Sequence, residues 1–346
     1  MTVNYTCNTS MGMEDIQYKL YFKMAGEEGQ GMKVAMEAQL MEKEVETMLR
    51  LFPRVRKMIV EKQVEKEVIL PLPEIVYGSY SSSGEGVIVA MDMMEEGYNR
   101  PDYSMGLSLT TMVATVQALA KMHATSAVFM AKEGQDEFVR EFPHLENGFY
   151  ESDAVFKHTS QLLKVINMSI IILSIIRILQ EFSDFVRRVP GFWEQHQQLE
   201  QWRSSAWHLL SSSIHRRSGL PPPLLCVNHG NLSSECILVK DDKVLITSWA
   251  MANVGSPLMD MAMLMLSSFS KQDRSEHTKQ LLDTYHFTFC STLARLGVDQ
   301  IKVFPMFTID HVIEEYDRFN SFWFCQDSYL LCLGVCLWPS TRPSAS

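Results

Sequence analysis

The chain has 346 residues, 46% of them apolar, and a formal charge of −10. That is ample for one large domain or two lobes and excludes a disordered chain. The acidic balance argues against a nucleic-acid partner or an anionic membrane surface. The first residues carry neither a basic start nor an apolar run, so they do not read as a signal peptide. Seven cysteines without a Cys-x-x-Cys pair read as reduced thiols of a cytoplasmic protein. The 23 methionines, many clustered, read as adaptable core filling rather than a metal site.

In chain order, residues 1–15 are polar and show no periodicity. Ile16–Met24 alternates apolar and charged positions, as a strand does, with Lys23 near its end. Gly26–Gly31 reads as a turn. Val34–Phe52 has helical periodicity, with Ala38, Met41, Val45, Met48 and Leu49 on one face, and Pro53 is expected to end it. Leu70–Gly78 and Val87–Met91 read as strands around a turn at Ser81–Gly86. Leu107–Ala131 is a long helix that carries His123, expected to be a buried, hydrogen-bonded structural residue.

Leu162–Leu179 is apolar but broken by Lys164, Asn167 and Arg177, so it reads as a buried helix and not a membrane span. Phe182–Ser213 is amphipathic and helical, and Pro221–Pro223 stiffens the chain beyond it. Met261–Phe269, Glu276–Leu296 and Phe304–Phe324 are helical. The tail from Tyr329 turns from apolar to Pro- and Ser-rich and is expected to be poorly structured.

The most informative stretch is Leu224–Ala262. Ile237–Val239 and Val244–Ile246 flank Lys240-Asp241-Asp242-Lys243, a β-hairpin pattern. A polar loop, His229 to Cys236, precedes the hairpin. Ser248-Trp249-Ala250, then Gly255-Ser256-Pro257 and a helix carrying Asp260, follow it.

This layout resembles the ecdysteroid kinase-like (choline kinase-like) family, whose pattern runs HGDLWxNN, hairpin, IDFQ, GSPxxDLA. His229-Gly230, Leu232, Gly255-Ser256-Pro257 and Asp260-Met261-Ala262 fall in step. Upstream, Met41–Glu46 is similar to the family's FEREIEFY helix, and Ala118–Ala127 to its LAKLHALSA. The resemblance runs from about Lys23 to Phe324. It implies an α+β, bilobal protein-kinase-like fold of the aminoglycoside/choline kinase type. The N-lobe would span residues 1–92, a helical C-lobe with the hairpin 93–328, and a tail 329–346. Because little precedes Lys23, the glycine-rich hairpin is expected to be missing or severely shortened.

The family's activity is ATP-dependent phosphorylation of a small-molecule hydroxyl, ecdysteroid or choline-like. By resemblance, Lys23 contacts nucleotide phosphates and pairs with Glu44, and the backbone at Met91, Asp92 and Met93 binds adenine. His229 belongs to the catalytic loop, and Asp260 braces it. Three family residues are replaced. The catalytic Asp falls on Asn231, the metal-binding Asn on Cys236 and the metal-binding Asp on Ser248. An amide is no general base, and magnesium wants hard oxygen ligands. Asp241 and Asp242 sit at a hairpin tip expected to point away from the cleft, and Glu235 is one residue out of step. The expectation is a pseudokinase that binds ATP weakly, without a strong protein ligand for Mg²⁺, and has a small-molecule ligand as its partner. Two alternatives stay open: an active kinase with atypical metal ligands, or a nonfunctional or misassembled gene copy. Neither the acceptor nor the oligomeric state can be read from the sequence.

Overall fold

The computed structural model describes residues 2–9, 12–24, 39–82, 85–102, 106–146, 197 and 224–320, with side chains from Lys19 onward. Two compact units divide the chain, Met1–Phe149 with Pro222–Phe319, and Tyr150–Pro221 with Asn320–Ser346. All elements below belong to the first, apart from Asn320 at the end of the last helix. The expected turn at Gly26–Gly31, the helices at Leu162–Leu179 and Phe182–Ser213, Pro221–Pro223 and the tail from Tyr329 lie outside the described residues.

A four-stranded antiparallel sheet opens the chain, in the order β1-β2-β4-β3. β1 is Thr2–Thr9, β2 Gly12–Met24, β3 Ile75–Tyr80 and β4 Gly86–Met91. The polar start is therefore strand, against the reading of residues 1–15 as aperiodic. Backbone pairing from Thr2↔Lys19 to Thr9↔Gly12 defines β1, and such pairing leaves no apolar alternation to read. Among the described residues, a single strand, β1, precedes the Lys23 strand. β3 begins at Ile75 rather than Leu70. Pro71 and Pro73 in the preceding stretch lack the N–H a ladder needs.

One helical rod packs on the sheet. It runs as α1 (Leu40–Glu46), a π-turn (Thr47–Leu51) and α2 (Phe52–Glu61). Pro53 does not end it. The π-turn re-registers the bonds, so that the Phe52 N–H reaches Thr47 O and Pro53 enters the first turn of α2, where its missing N–H is tolerated. Met41 and Val45 from α1 and Ile88 from β4 form a local core, with Leu49 and Ile75 packed against it.

Long helices follow. α3 is Leu109–Glu133, with the Ser108 side chain accepting the Thr111 N–H at its start, and α4 is Gln135–Glu141. β5 (Cys226–Asn228) pairs with β8 (Asn253–Gly255), and β6 (Ile237–Lys240) with β7 (Lys243–Ile246). This second pair is the expected hairpin, turning at Asp241-Asp242. α5 is Leu258–Ser268 and α6 Lys271–Arg295. A short α7, Gln300–Val303, was not anticipated; Asp299 caps it by accepting the Ile301 and Lys302 N–H groups. Residues 309–320 are helical. Among the described residues, no helix is long and apolar enough to cross a membrane.

Candidate functional site

The loop after β5 is shaped by a backbone that only glycine fits. Gly230 has φ +81°, and a Cβ there would lie 2.0 Å from Met251 O. The loop is then pinned from below. Asp260, on α5 and 1% exposed, accepts the His229 N–H at 2.5 Å and the Gly230 N–H at 2.9 Å. His123 of α3 adds a third bond, Nε2 to Asp260 Oδ2 at 3.2 Å, and its Nδ1 meets the Tyr285 hydroxyl of α6 at 2.7 Å. Burial would raise the Asp260 carboxyl, but the His123 hydrogen bond, the nearby histidine charges and the backbone donor hold it below its ordinary value. His123 is thus buried and hydrogen-bonded, and it ties α3 to the loop.

His229 is fully buried. Its Nε2 donates to Thr247 O at 2.8 Å, and its Nδ1 receives the Asn231 N–H at 3.3 Å. Burial presses the ring toward its neutral form, while Cys236, Asp260 and Thr247 O pull its pKa up to about 9. The Asn231 N–H at Nδ1 meets a ring lone pair only once the ring has lost a proton, above that pKa, and the proton that stays is then on Nε2, toward Thr247 O.

Asn231 and Cys236 lie on one loop, and Ser248 follows the strand that is bonded back to it. The Cys236 thiol, at the end of a 3₁₀ turn, lies 3.6 Å from Asn231 O. Thr247 donates its N–H to Cys236 O at 2.8 Å, which sets Ser248 beside the same loop. Ser248 is exposed and left-handed, at φ +67°. Asp and Asn are enriched in that region, so the backbone keeps a shape suited to a carboxylate or amide that Ser248 does not supply. The Cys236 thiol is a poor ligand for Mg²⁺, which takes hard oxygen ligands and usually one or two carboxylates, and the Asn231 amide and Ser248 hydroxyl bring neutral oxygens with no carboxylate. Among the described residues, no three His, Cys, Asp or Glu side chains converge as a metal site.

The upper wall is intact. Lys23 Nζ lies 2.6 Å from Glu44 Oε2, with both side chains largely buried. Trp249 wedges behind Glu44's helix. It is fully buried, edge-on to Phe52 at 4.8 Å, 5.0 Å from the His229 ring, and donates Nε1–H to Ile246 O at 3.0 Å. Tyr21 escaped the sequence reading. It stands two residues before Lys23 on β2, hence on the same sheet face, and is 54% exposed. The period of two from Lys23 could have found it.

At the hinge, two of the expected adenine donors are engaged. The Met91 N–H goes to Glu74 O at 2.9 Å and the Asp92 N–H to Lys19 O at 3.0 Å. Among the described residues, the Met93 N–H has no backbone partner, while its carbonyl accepts the Tyr98 N–H at 3.0 Å. The hairpin is fastened just beyond, where Asn99 and Val239 exchange two bonds at 2.8 Å. Asp241 and Asp242 lie at that hairpin's exposed turn, and Glu235 is exposed.

The profile of the ecdysteroid kinase-like family matches residues 1–298. The chain belongs to that family. As an ecdysteroid kinase-like protein it has the bilobal protein-kinase-like fold, with a small sheet lobe and a mostly helical lobe. No curated protein matches it. Similar solved structures include the GDP complex of aminoglycoside 2′-phosphotransferase-IIIa, at 12% identity and TM-score 0.42 over 96% of this chain and 84% of that one. A choline/ethanolamine kinase family protein from Mesorhizobium loti is 13% identical, at TM-score 0.35 over 94% and 87%. Amicoumacin kinase hAmiN, in complex with AMP-PNP, Ca²⁺ and Ami, is 9% identical, at TM-score 0.41 over 98% and 87%. At these scores the likenesses carry no argument of their own.

Proposed function

We propose that this ecdysteroid kinase-like protein is a pseudokinase, one that holds a nucleotide weakly and transfers no phosphoryl group. The observation that carries the reading is a loop whose supports remain while Asn231 and Cys236 on it, and Ser248 just after the hairpin, bring no carboxylate. Phosphoryl transfer is catalysed almost wholly by positioning and by charge neutralisation through the metal. Asn231 cannot take a proton from an acceptor hydroxyl, and Cys236 with Ser248 offers Mg²⁺ little.

Weak nucleotide binding draws on what remains. Lys23 supplies a phosphate contact, Tyr21 an aromatic face for a base, and the Met93 amide a donor. The lobe boundary falls at Asp92. A small hydroxyl-bearing molecule of the ecdysteroid or choline-like class is the family's acceptor and is the ligand class we assign. The free thiols Cys226, Cys236 and Cys290 fit the reducing cytoplasm.

The test is turnover. Purified protein with ATP, Mg²⁺ and a panel of steroid alcohols and choline-like amino-alcohols should consume ATP no faster than the buffer control. Mg²⁺-dependent turnover that Lys23→Met abolishes would overturn the reading and point to Glu235 as a substitute metal ligand.

A further inference from the structure

A cavity lies behind the hinge. Along β4, side chains alternate between faces. Ile88 and Ala90 oppose Lys23 and Tyr21, so Met91 leaves by the other face. There it lines an open groove of about 680 Å³. None of Lys23, Asn231, Cys236 or Ser248 lines it.

Its chemistry is two-sided. The floor is aliphatic, built from Ile59, Leu70, Leu72 and Leu245, all buried. Met91 and Met93 add flexible thioethers that can mould to an irregular apolar body. Val60 and Ile69 flank it while 59% and 66% exposed, so apolar surface that a guest would cover is left in water. The charged residues lining it are Glu65, Glu74 and Glu96 against Arg56 alone, a net negative lining. Among the described residues, none of these four carries a side-chain ion pair. Lys240 already sits 5.8 Å over the Tyr98 ring, so an incoming cation would be held by the carboxylates and not by that ring.

We propose that this cavity binds a small monocationic amphiphile, an apolar body carrying one amine or quaternary ammonium. A carboxylate or phosphate would meet like charge, and a neutral molecule would gain only from the floor. The site is wired to the hinge. The segment that forms its wall gives Glu74 O to the Met91 N–H at 2.9 Å and Pro71 O to the Ile246 N–H at 2.7 Å. β7 ends at Ile246, two residues before Ser248. A guest that fixes this wall steadies both the hinge and the strand entering the cleft.

The experiment uses the full chain and three probes of equal length: octyltrimethylammonium below its micelle concentration, octan-1-ol and octanoate. Thermal melting and titration calorimetry should show saturable binding of the ammonium, at least tenfold weaker binding of the alcohol, and none of octanoate. Val60→Trp should fill the mouth and abolish the response. Glu65→Gln/Glu74→Gln/Glu96→Gln, all at the surface, should weaken the ammonium at least tenfold and leave the alcohol unchanged. If the Trp variant fails to fold, the Gln variant decides alone. Equal responses to all three probes, no saturable binding, or full ammonium affinity in the Gln variant would overturn the proposal.

Discussion

Two parts of one loop have diverged. Below it, Asp260 gathers the His229 and Gly230 amides and His123, and Tyr285 completes the chain of bonds into α6. Above it, Asn231, Cys236 and Ser248 offer the cleft no carboxylate. A buried carboxylate with three donors is expensive to lose, because each donor would be left unsatisfied in the core. An exposed catalytic carboxylate is not; its loss costs activity and leaves folding untouched. The comparison teaches that the scaffold is held by folding energetics, whereas the chemistry needs a separate reason to persist.

The comparison can be broken most forcefully at Asp260. Asp260→Ala should destabilise the fold by about 3–5 kcal/mol, since it strands buried donors. Asn231→Ala, by contrast, should move stability by less than about 0.5 kcal/mol, as expected of a half-exposed side chain. Urea unfolding of both variants checks this. Equal effects would erase the distinction between the two regions.

Acid sharpens the same contrast on the Glu44 helix. His144 stands 3.4 Å from Thr47 Oγ1 at the π-turn. Burial, helped by Lys43 and Arg50 against Glu46, lowers its pKa to about 4. Below pH about 6.5 the unfolded chain takes up a proton that the native chain refuses. Stability should therefore fall as pH drops from about 6.5 to about 4, by up to roughly 3 kcal/mol. His144→Gln should flatten that part of the profile, read by urea midpoints between pH 7 and pH 4.5. An unchanged slope would remove His144 from the account.

Lys23→Met should destabilise the fold by about 1–2 kcal/mol, because it leaves the largely buried Glu44 without its ion-pair partner. It should also remove whatever melting shift ATP produces. A retained ATP shift would mean that Lys23 serves only the helix.

Much of this was legible in the sequence, and where it was not the reason is local. The hairpin, the Lys23–Glu44 pair and the Asp260 brace lie in ordered motifs whose spacing survives substitution. The rod through Pro53 was not legible, because a π-turn changes which N–H a proline may lack without any composition signal. β1 was hidden because its place is set by pairing with β2. The hinge misled in part: Met91 and Asp92 carry the backbone groups expected, yet their N–H groups serve Glu74 and Lys19. Cys236 and Ser248 could be named as replacements from sequence, but only the fold shows the Cys236 thiol against Asn231 O.

The central claim, that the supports remain while the metal site is gone, is tested most directly by thermal melting with ATP, with and without Mg²⁺. A ligand bound only by the native state raises the melting point. The wild type should show a small ATP shift that Mg²⁺ leaves unchanged. The triple variant Asn231→Asp/Cys236→Asn/Ser248→Asp should show a clearly larger shift that depends on Mg²⁺. A large Mg²⁺-dependent shift in the wild type, or none in a well-folded triple variant, would contradict the account.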